Sequence, residues 1–97
     1  MGFPPRILHR SVVVWTTLKL RYTACVIVLL EDSVYYSIGS DALVLHVIAN
    51  LPLVRANLLY TYFTIPVLEQ VLLLCLRADL RVVIAQPMGD PGSELFM

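Results

Sequence analysis

Charged residues are scarce in this sequence of 97 residues: Asp, Glu, Lys and Arg together make up 14% of it, against about 25% in ordinary globular domains. Apolar residues, counted with the aromatics and cysteine, make up 59%. A chain of this length forms one domain at most and buries only about 60–68% of the surface that its unfolded form exposes. The excess of apolar side chains must therefore meet a partner chain, a lipid surface or a ligand.

Glycine and cysteine are also rare, which argues against several classes of protein. Gly39 and Gly89 are isolated, so the sequence has no glycine-rich loop of the kind that binds phosphate. Cys25 and Cys75 lie far apart inside the apolar runs TACVIV and LLLCLR, whereas disulfide-rich secreted scaffolds have more cysteines at closer spacing. We therefore expect both cysteines to be free and to pack as small apolar residues.

Long uncharged runs are absent as well. A membrane-spanning helix requires about 18 or more consecutive residues with few or no charges, and the most apolar window, 56–76, contains Glu69. Lys19 and Arg21 interrupt the apolar stretch near the N-terminus, and no small-residue cleavage site follows it. We expect a cytoplasmic protein, or one bound peripherally to an intracellular membrane, and not a secreted one.

The charges that are present are unevenly distributed. Residues 1–22 contain four basic residues and no acid, namely Arg6, Arg10, Lys19 and Arg21, while the three arginines and seven acids of the remainder give a net charge of −4. A basic N-terminal segment favours contact with anionic lipid headgroups, although a few solubilising arginines are the simpler interpretation. Nucleic-acid binding requires a denser basic patch, and the isoelectric point near 6.7 argues against it.

Several segments predict β-strands. Polar and apolar residues alternate in TTLKLRYTA, and the flanking runs SVVVW and CVIVLL are rich in β-branched residues, so we predict one long strand near 12–30. The segments VYYSI (34–38) and NLLYTYFTI (57–65) predict two further strands. The apolar run at 42–48 fits either a strand or a helix capped by Ser40, and its valines and isoleucine favour the strand.

One segment predicts a helix. After Pro66 the sequence VLEQVLLLCLRADLR uses good helix formers with apolar residues spaced three and four apart, so we predict a helix near 66–80. The run VVIA that follows fits a last strand. We predict an α+β, β-rich fold in three parts: an extended arm at 1–10, a single small hydrophobic domain at 11–85 and a flexible C-terminal tail at 86–97.

Residues that could carry chemistry are few. Ser40, Asp41 and His46 lie close together and supply a nucleophile, an acid and a base, but no Gly-x-Ser-x-Gly turn accompanies them. Turn or cap residues and a hydrogen-bonded core histidine are the simpler interpretation. His9, His46 and the two cysteines lack the paired spacing of zinc ligands. We therefore predict no catalytic, cofactor-binding or metal-binding residue, and we do not expect an enzyme.

Three other features are expected to be structural. Glu31 and Asp32 fit a solvated turn. Arg55, between the uncharged stretches 42–54 and 56–68, fits a loop in which its charge needs no partner. The aromatic residues fit packing within a sheet, with an interface belt as the alternative; they are Tyr35, Tyr36, Tyr60, Tyr62 and Phe63.

The excess of arginine over lysine, six to one, and the dominance of Leu and Val favour an origin in an overlapping reading frame. Codons for Leu, Val, Ile, Phe and Met share a central T, whose complement A is central in the codons of most strongly polar residues. A hydrophilic gene read on its opposite strand would therefore encode an apolar product. Such frames are common in compact viral genomes.

These features together predict a small non-enzymatic accessory protein that acts through exposed apolar surface, by membrane association or by binding a host protein. Two alternatives remain. One is a soluble β-rich homo-oligomer with a lipid-binding or dimer-interface core, and the other is the product of an unselected open reading frame without function. No small-molecule substrate is indicated.

Overall fold

A mixed sheet with helices on both of its faces forms the centre of the structure. The computed structural model describes residues 4–87 and 94–96. In chain order the elements are α1 (His9–Arg21), β1 (Val26–Glu31), β2 (Val34–Ile38), α2 (Gly39–Ala49), β3 (Leu53–Arg55), β4 (Leu59–Thr64), a short 3-10 helix (Ile65–Val67), α3 (Leu68–Arg77), β5 (Val82–Pro87) and β6 (Glu94–Phe96). The α+β class predicted from the sequence is confirmed.

The strands are arranged around β1. Their order in the sheet is β3-β4-β2-β1-β5-β6. β1 pairs antiparallel with β2 and parallel with β5, where Val26 lies opposite Val82. The pairs β2–β4, β3–β4 and β5–β6 are antiparallel. The turn of the β1–β2 hairpin contains Asp32, whose φ of 57° lies in the left-handed region, and this places β2 directly beside β1.

Alternate residues of β1 face two separate apolar cores. Val26 and Val28 belong to a core that also contains residues of α2 and α3. Ile27 and Leu29 belong to a core that also contains residues of α1. Because successive side chains of a strand point to opposite faces, the apolar run CVIVLL supplies both cores. A strand that is apolar on both faces requires helices on both sides of the sheet.

The aromatic residues of β2 and β4 pack across the sheet. The ring of Tyr35 stacks on that of Phe63, with 5.2 Å between the centroids. Tyr36 lies beside Tyr60 at a centroid distance of 6.1 Å, in a different core from the first pair. These four side chains are buried and Tyr62 is half-buried, so the predicted sheet packing of the aromatic residues is confirmed.

Several predicted elements lie where the sequence placed them. The strands predicted at 34–38 and 57–65 correspond to β2 and β4, and the run VVIA lies in β5. The helix predicted near 66–80 corresponds to the 3-10 helix and α3. Pro66 lies at the start of this helical segment, where its missing N–H leaves no helical hydrogen bond unmade.

The first half of the strand predicted near 12–30 is wrong, because α1 occupies it and only β1 follows the prediction. α1 buries Ser11, Val14 and Leu18, and their spacing of three and four residues is that of one helix face. The alternation in TTLKLRYTA favoured a strand, whereas the helical stripe combines Ser11 and Val14, which precede this segment, with Leu18 inside it. Tertiary contacts of that stripe decide the structure.

The strand predicted at 42–48 is also wrong, since this run lies within α2. Ala42 and Leu45 face the core from this helix and are fully buried. Asn50 adopts a left-handed conformation with φ of 55° immediately after the helix, which is a common way for helices to end. Burial of the apolar side of α2 overrides the strand propensity of its valines, so the alternative helical interpretation is the correct one.

Arg55 is the last residue of β3, the edge strand, and lies opposite Leu59 of β4. The loop predicted for it is therefore wrong, although its side chain is exposed as expected. A charged residue on an edge strand hinders pairing with the strands of other chains.

The structure describes part of the predicted N-terminal arm and part of the predicted C-terminal tail. Of the extended arm predicted at 1–10, residues 4–8 form neither helix nor strand. The Tyr60 hydroxyl donates a 2.7 Å hydrogen bond to the carbonyl of Pro5 and holds this segment against the sheet. Most of the tail predicted at 86–97 lies outside the described residues, and its described part consists of the end of β5 and of β6.

A carboxylate at the end of β1 holds the N-terminal part of α1. Glu31 forms an ion pair with Arg10, at 2.9 Å between Nη2 and Oε2, and accepts a hydrogen bond from the Ser11 hydroxyl. Glu31 is buried, whereas the neighbouring Asp32 is exposed. The predicted solvated turn is therefore correct for Asp32 and wrong for Glu31.

A second carboxylate holds the C-terminal part of α1. The ammonium of Lys19 lies 2.7 Å from Oδ1 of Asp41, and it also donates to the carbonyl of Cys25 at 2.7 Å. The other oxygen of Asp41 accepts the Ile27 N–H at 3.0 Å. Asp41, predicted as a turn or cap residue, is buried and joins α1, β1 and α2. Two of the four basic residues of segment 1–22, Arg10 and Lys19, thus form ion pairs with buried carboxylates.

We expect Asp41→Ala to lower the free energy of unfolding by about 2–3 kcal/mol. The substitution removes the acceptor of the Ile27 N–H and the acid that pairs with Lys19. The loss stays below the about 3–5 kcal/mol of a fully buried pair, because 23% of the Lys19 side chain is exposed. Urea unfolding followed by circular dichroism measures the change, with the exposed Ser40→Ala as control. Equal effects of the two substitutions would contradict this role of Asp41.

Candidate functional site

Large apolar side chains lie exposed on the outer sides of α2 and α3. Leu43 and Val47 of α2 are 44% and 72% exposed, and Leu73 and Leu76 of α3 are 46% and 72% exposed. The two helices contact each other on the same face of the sheet, so their outer sides are turned toward the same side of the molecule. We call these four residues the α2–α3 outer surface.

The sequence of α3 explains why one of its sides remains apolar and exposed. Every residue from 71 to 76 is apolar, which is more than one core-facing stripe can use. Val71 and Cys75, four residues apart, are buried, and Leu73 and Leu76 lie on the other side of the helix. A helix that is apolar all round is typical of an element covered on every side. In the described structure, α3 is covered on one side.

Charged and polar residues border the apolar side chains of α3. Glu69 lies in the first turn and Arg77 in the last turn of this helix, where each has a favourable interaction with the helix dipole. Both side chains are exposed, as is that of Gln70. Within residues 4–87 neither Glu69 nor Arg77 forms an ion pair. Both charges are therefore available to a partner.

The exposed apolar residues of α1 are arranged differently. Val13 and Leu20 are 50% and 77% exposed, but α1 packs on the opposite face of the sheet from α2 and α3. Exposed Thr16, Thr17 and Arg21 separate or flank these two side chains. Single exposed apolar residues among polar ones are normal on protein surfaces, so we do not count α1 as a candidate site.

The residues considered for catalysis are not brought together. The carboxylate of Asp41 is occupied by Lys19, and the side chain of Ser40 is exposed. Nδ1 of His46 donates a 2.6 Å hydrogen bond to the carbonyl of Leu51, which confirms the predicted hydrogen-bonded histidine. This arrangement contains no nucleophile positioned by a base.

The two cysteines are free, as predicted. Cys75 is buried in the core beneath α3 and Cys25 is half-buried. In the described ranges, no three His, Cys, Asp or Glu side chains are grouped in a way that could hold a metal ion. Of the helices that the structure describes, none combines the length and the apolar content needed to cross a bilayer.

A cleft that the sequence did not predict lies between the N-terminal segment and the turn joining β3 to β4. Its volume is about 690 Å³, and it is open to solvent. The Tyr60 phenol, whose pKa is raised by burial, donates to the Pro5 carbonyl. Arg6 is the one charged residue of the lining, which consists of Pro4, Arg6, Ile7, Ala56, Asn57, Leu58 and Tyr60.

This cleft and the α2–α3 outer surface are candidate binding sites on the described structure. The cleft has mixed walls with a single cation, whereas the outer surface displays four large apolar side chains. Both are open to water, so they suit recognition of a ligand or partner better than a chemical step, which benefits from exclusion of water. Comparison with models of known protein families and with curated proteins finds no match for this chain.

Burial raises the pKa of the Cys75 thiol above its ordinary value of 9.0. The folded state therefore disfavours the thiolate, and the resulting contribution to stability, complete below that pH, is lost as the pH rises further. Burial also raises the pKa values of Tyr36 and Tyr60 above 10.0, which acts in the same direction. We expect the free energy of unfolding in urea to fall above about pH 9.

A Cys75→Ser variant provides the control for this alkaline loss. Serine has no titration in this range, so the variant is expected to be less stable at neutral pH but to lose less of its stability between about pH 8.5 and 10. Equal losses in the two proteins over this interval would show that the Cys75 thiol does not contribute.

Proposed function

We propose that this protein is a non-enzymatic accessory protein that binds another protein through the α2–α3 outer surface. The observation that carries the proposal is the exposure of Leu43, Val47, Leu73 and Leu76 on one side of the molecule. None of the four is needed to close the cores beneath the helices. Apolar side chains grouped in this way commonly mark interaction surfaces.

The free energy gained by burying these four side chains determines how tight the complex can be. Full burial of one large apolar side chain contributes about 1.5–3 kcal/mol, and these four side chains are already 28–56% buried. Covering them would contribute about 4–7 kcal/mol, which is comparable with the lower estimates of the free-energy cost of association. The surface alone therefore supports a weak, reversible complex, and a tighter one needs polar contacts around it.

The charges favour a protein partner over an anionic membrane surface. Of the four basic residues in segment 1–22, Arg10 and Lys19 are engaged in internal ion pairs. Each basic residue near an anionic membrane contributes about 1 kcal/mol, so neutralisation of these two by Glu31 and Asp41 removes about half of the attraction that four unpaired basic residues would give. Arg77, beside the apolar side chains of α3, is balanced by Glu69.

The proposal of a binding role also agrees with the arrangement of the polar groups. Asp41 and Glu31, the buried acids among the described residues, accept hydrogen bonds from neighbouring elements of the fold. Their role is to hold α1 in place. The side chains that project from the outer sides of α2 and α3 are predominantly apolar and suit contact more than reaction.

Site-specific photo-crosslinking in cells tests the proposal. A photoreactive amino acid at position 47 or 76 of the tagged full chain is expected to give discrete protein adducts, and the same group at Thr16 of α1 is not. A Leu43→Lys substitution should reduce adducts from position 76 by about fivefold or more, because it places a charge in the contact, whereas Val13→Lys on α1 should leave them unchanged.

Two results would overturn the proposal. One is the absence of adducts from positions 47 and 76 above the level seen at position 16. The other is flotation of the purified protein with vesicles that contain phosphatidylserine, abolished by Leu43→Lys, because this would assign the same surface to a membrane.

A further inference from the structure

The outer face of α3 has an internal symmetry. Its exposed residues are Glu69, Gln70, Leu73, Leu76 and Arg77. At 3.6 residues per turn these five project from one side of the helix with Leu73 at the centre, opposite the buried Val71 and Cys75. The face therefore has Leu73 in the middle, Glu69 and Gln70 toward one end, and Leu76 and Arg77 toward the other.

The charges on this face are placed at equal intervals from its centre. Glu69 precedes Leu73 by four residues and Arg77 follows it by four. The two charged positions are therefore separated by about 12 Å along the helix axis, with the apolar centre between them. In the described part of the chain both charges lack an ion-pair partner, so a complementary surface could satisfy both.

A second copy of the same helix is such a surface. A two-fold axis through Leu73, perpendicular to the helix, places Glu69 of one copy opposite Arg77 of the other, and the reverse at the other end. The two leucines at position 73 meet on the axis. A parallel arrangement would instead bring like charges together, which is unfavourable.

We propose that two copies of this chain associate through an antiparallel pairing of their α3 helices, with Leu73 at the centre, Leu76 of each copy flanking it and reciprocal Glu69–Arg77 ion pairs at the ends. This inference rests on the proposed function and names a second copy of the chain as a partner of the α2–α3 outer surface. Each copy contributes the same residues, so the contact closes on itself and forms a dimer, not a filament.

The size of the contact sets the expected strength of the dimer. α3 has 10 residues and is therefore about 15 Å long. Two helices of this length bury less than the about 1,200 Å² of a stable specific interface. We therefore expect a reversible dimer with a dissociation constant of about 10–100 μM.

Charge-reversal variants, whose dimerisation is measured by analytical ultracentrifugation, test this pairing. Glu69→Arg and Arg77→Glu each replace two attractions in the dimer by two repulsions, so each is expected to weaken dimerisation by about tenfold. The double variant Glu69→Arg/Arg77→Glu exchanges the charges and is expected to dimerise about as strongly as the unmodified protein. Arg21→Glu, on α1, is the matched control and should leave dimerisation unchanged.

Mixing the two single variants gives the sharpest test. The Glu69→Arg protein carries only positive charges on this face and the Arg77→Glu protein only negative ones, so each should dimerise only weakly by itself. An equimolar mixture should form a heterodimer in which both ion pairs are restored. Circular dichroism of each variant is the control that checks whether it remains folded.

The outcomes separate this inference from the proposed function. The pairing is overturned if the protein stays monomeric at about 500 μM, well above the expected dissociation constant. It is also overturned if either single charge reversal leaves dimerisation unchanged, or if the mixed single variants form no heterodimer. If the crosslinks from positions 47 and 76 to other proteins persist in that case, the proposed function stands without self-association. If they are absent as well, both proposals are wrong.

Discussion

Burial of β1 on both faces is the constraint on which the rest of the structure depends. Ile27 and Leu29 face one core, and Val26 and Val28 face the other. Each face must be covered, and the described part of the chain supplies three α-helices for this purpose. Each helix consequently has the sheet on one side and water on the other. The outer side of α1 is largely polar, whereas those of α2 and α3 carry large apolar residues.

The position of α1 depends on polar contacts as much as on apolar burial. Ser11 lies on its buried side near the N-terminal end and donates to Glu31, and Lys19 reaches Asp41 at the other end of the helix. Hydrogen bonds to charged groups are strong and directional, and desolvation offsets much of their contribution to stability. Their main effect is to fix where α1 lies on the sheet, and in doing so they neutralise two of the basic residues of segment 1–22.

The sequence predicted the elements whose local pattern agrees with their tertiary surroundings. β2, β4 and α3 have the alternation, aromatic content or helical spacing that their environments use. α1 and α2 were missed because partners distant in the sequence determine them. Lys19 and Asp41 are 22 residues apart and Arg10 and Glu31 are 21 apart, and no local pattern predicts such pairs. Asn50 before Leu51-Pro52 was a signal for the end of α2.

The sequence predicts that the candidate site is an exposed apolar surface, but it does not predict which elements carry that surface. Composition alone indicates that apolar side chains must remain exposed. Their location on α2 and α3 could not follow while α2 was taken for a strand, since alternation would have put Leu43 and Val47 on the same face as Leu45. The cleft beside Tyr60 joins segments about fifty residues apart in the chain, which no motif in the sequence relates.

The parallel pairing of β1 with β5 has a consequence for biosynthesis. β1 is synthesised about fifty residues before the strand that completes its second edge, which lies at residues 82–87. At about 5–20 residues per second, the nascent chain spends several seconds with an unpaired edge on its most apolar strand, and open edges of this kind recruit other chains. An edge that stays open until residues 82–87 are synthesised therefore exposes the nascent chain to unwanted strand pairing during this interval.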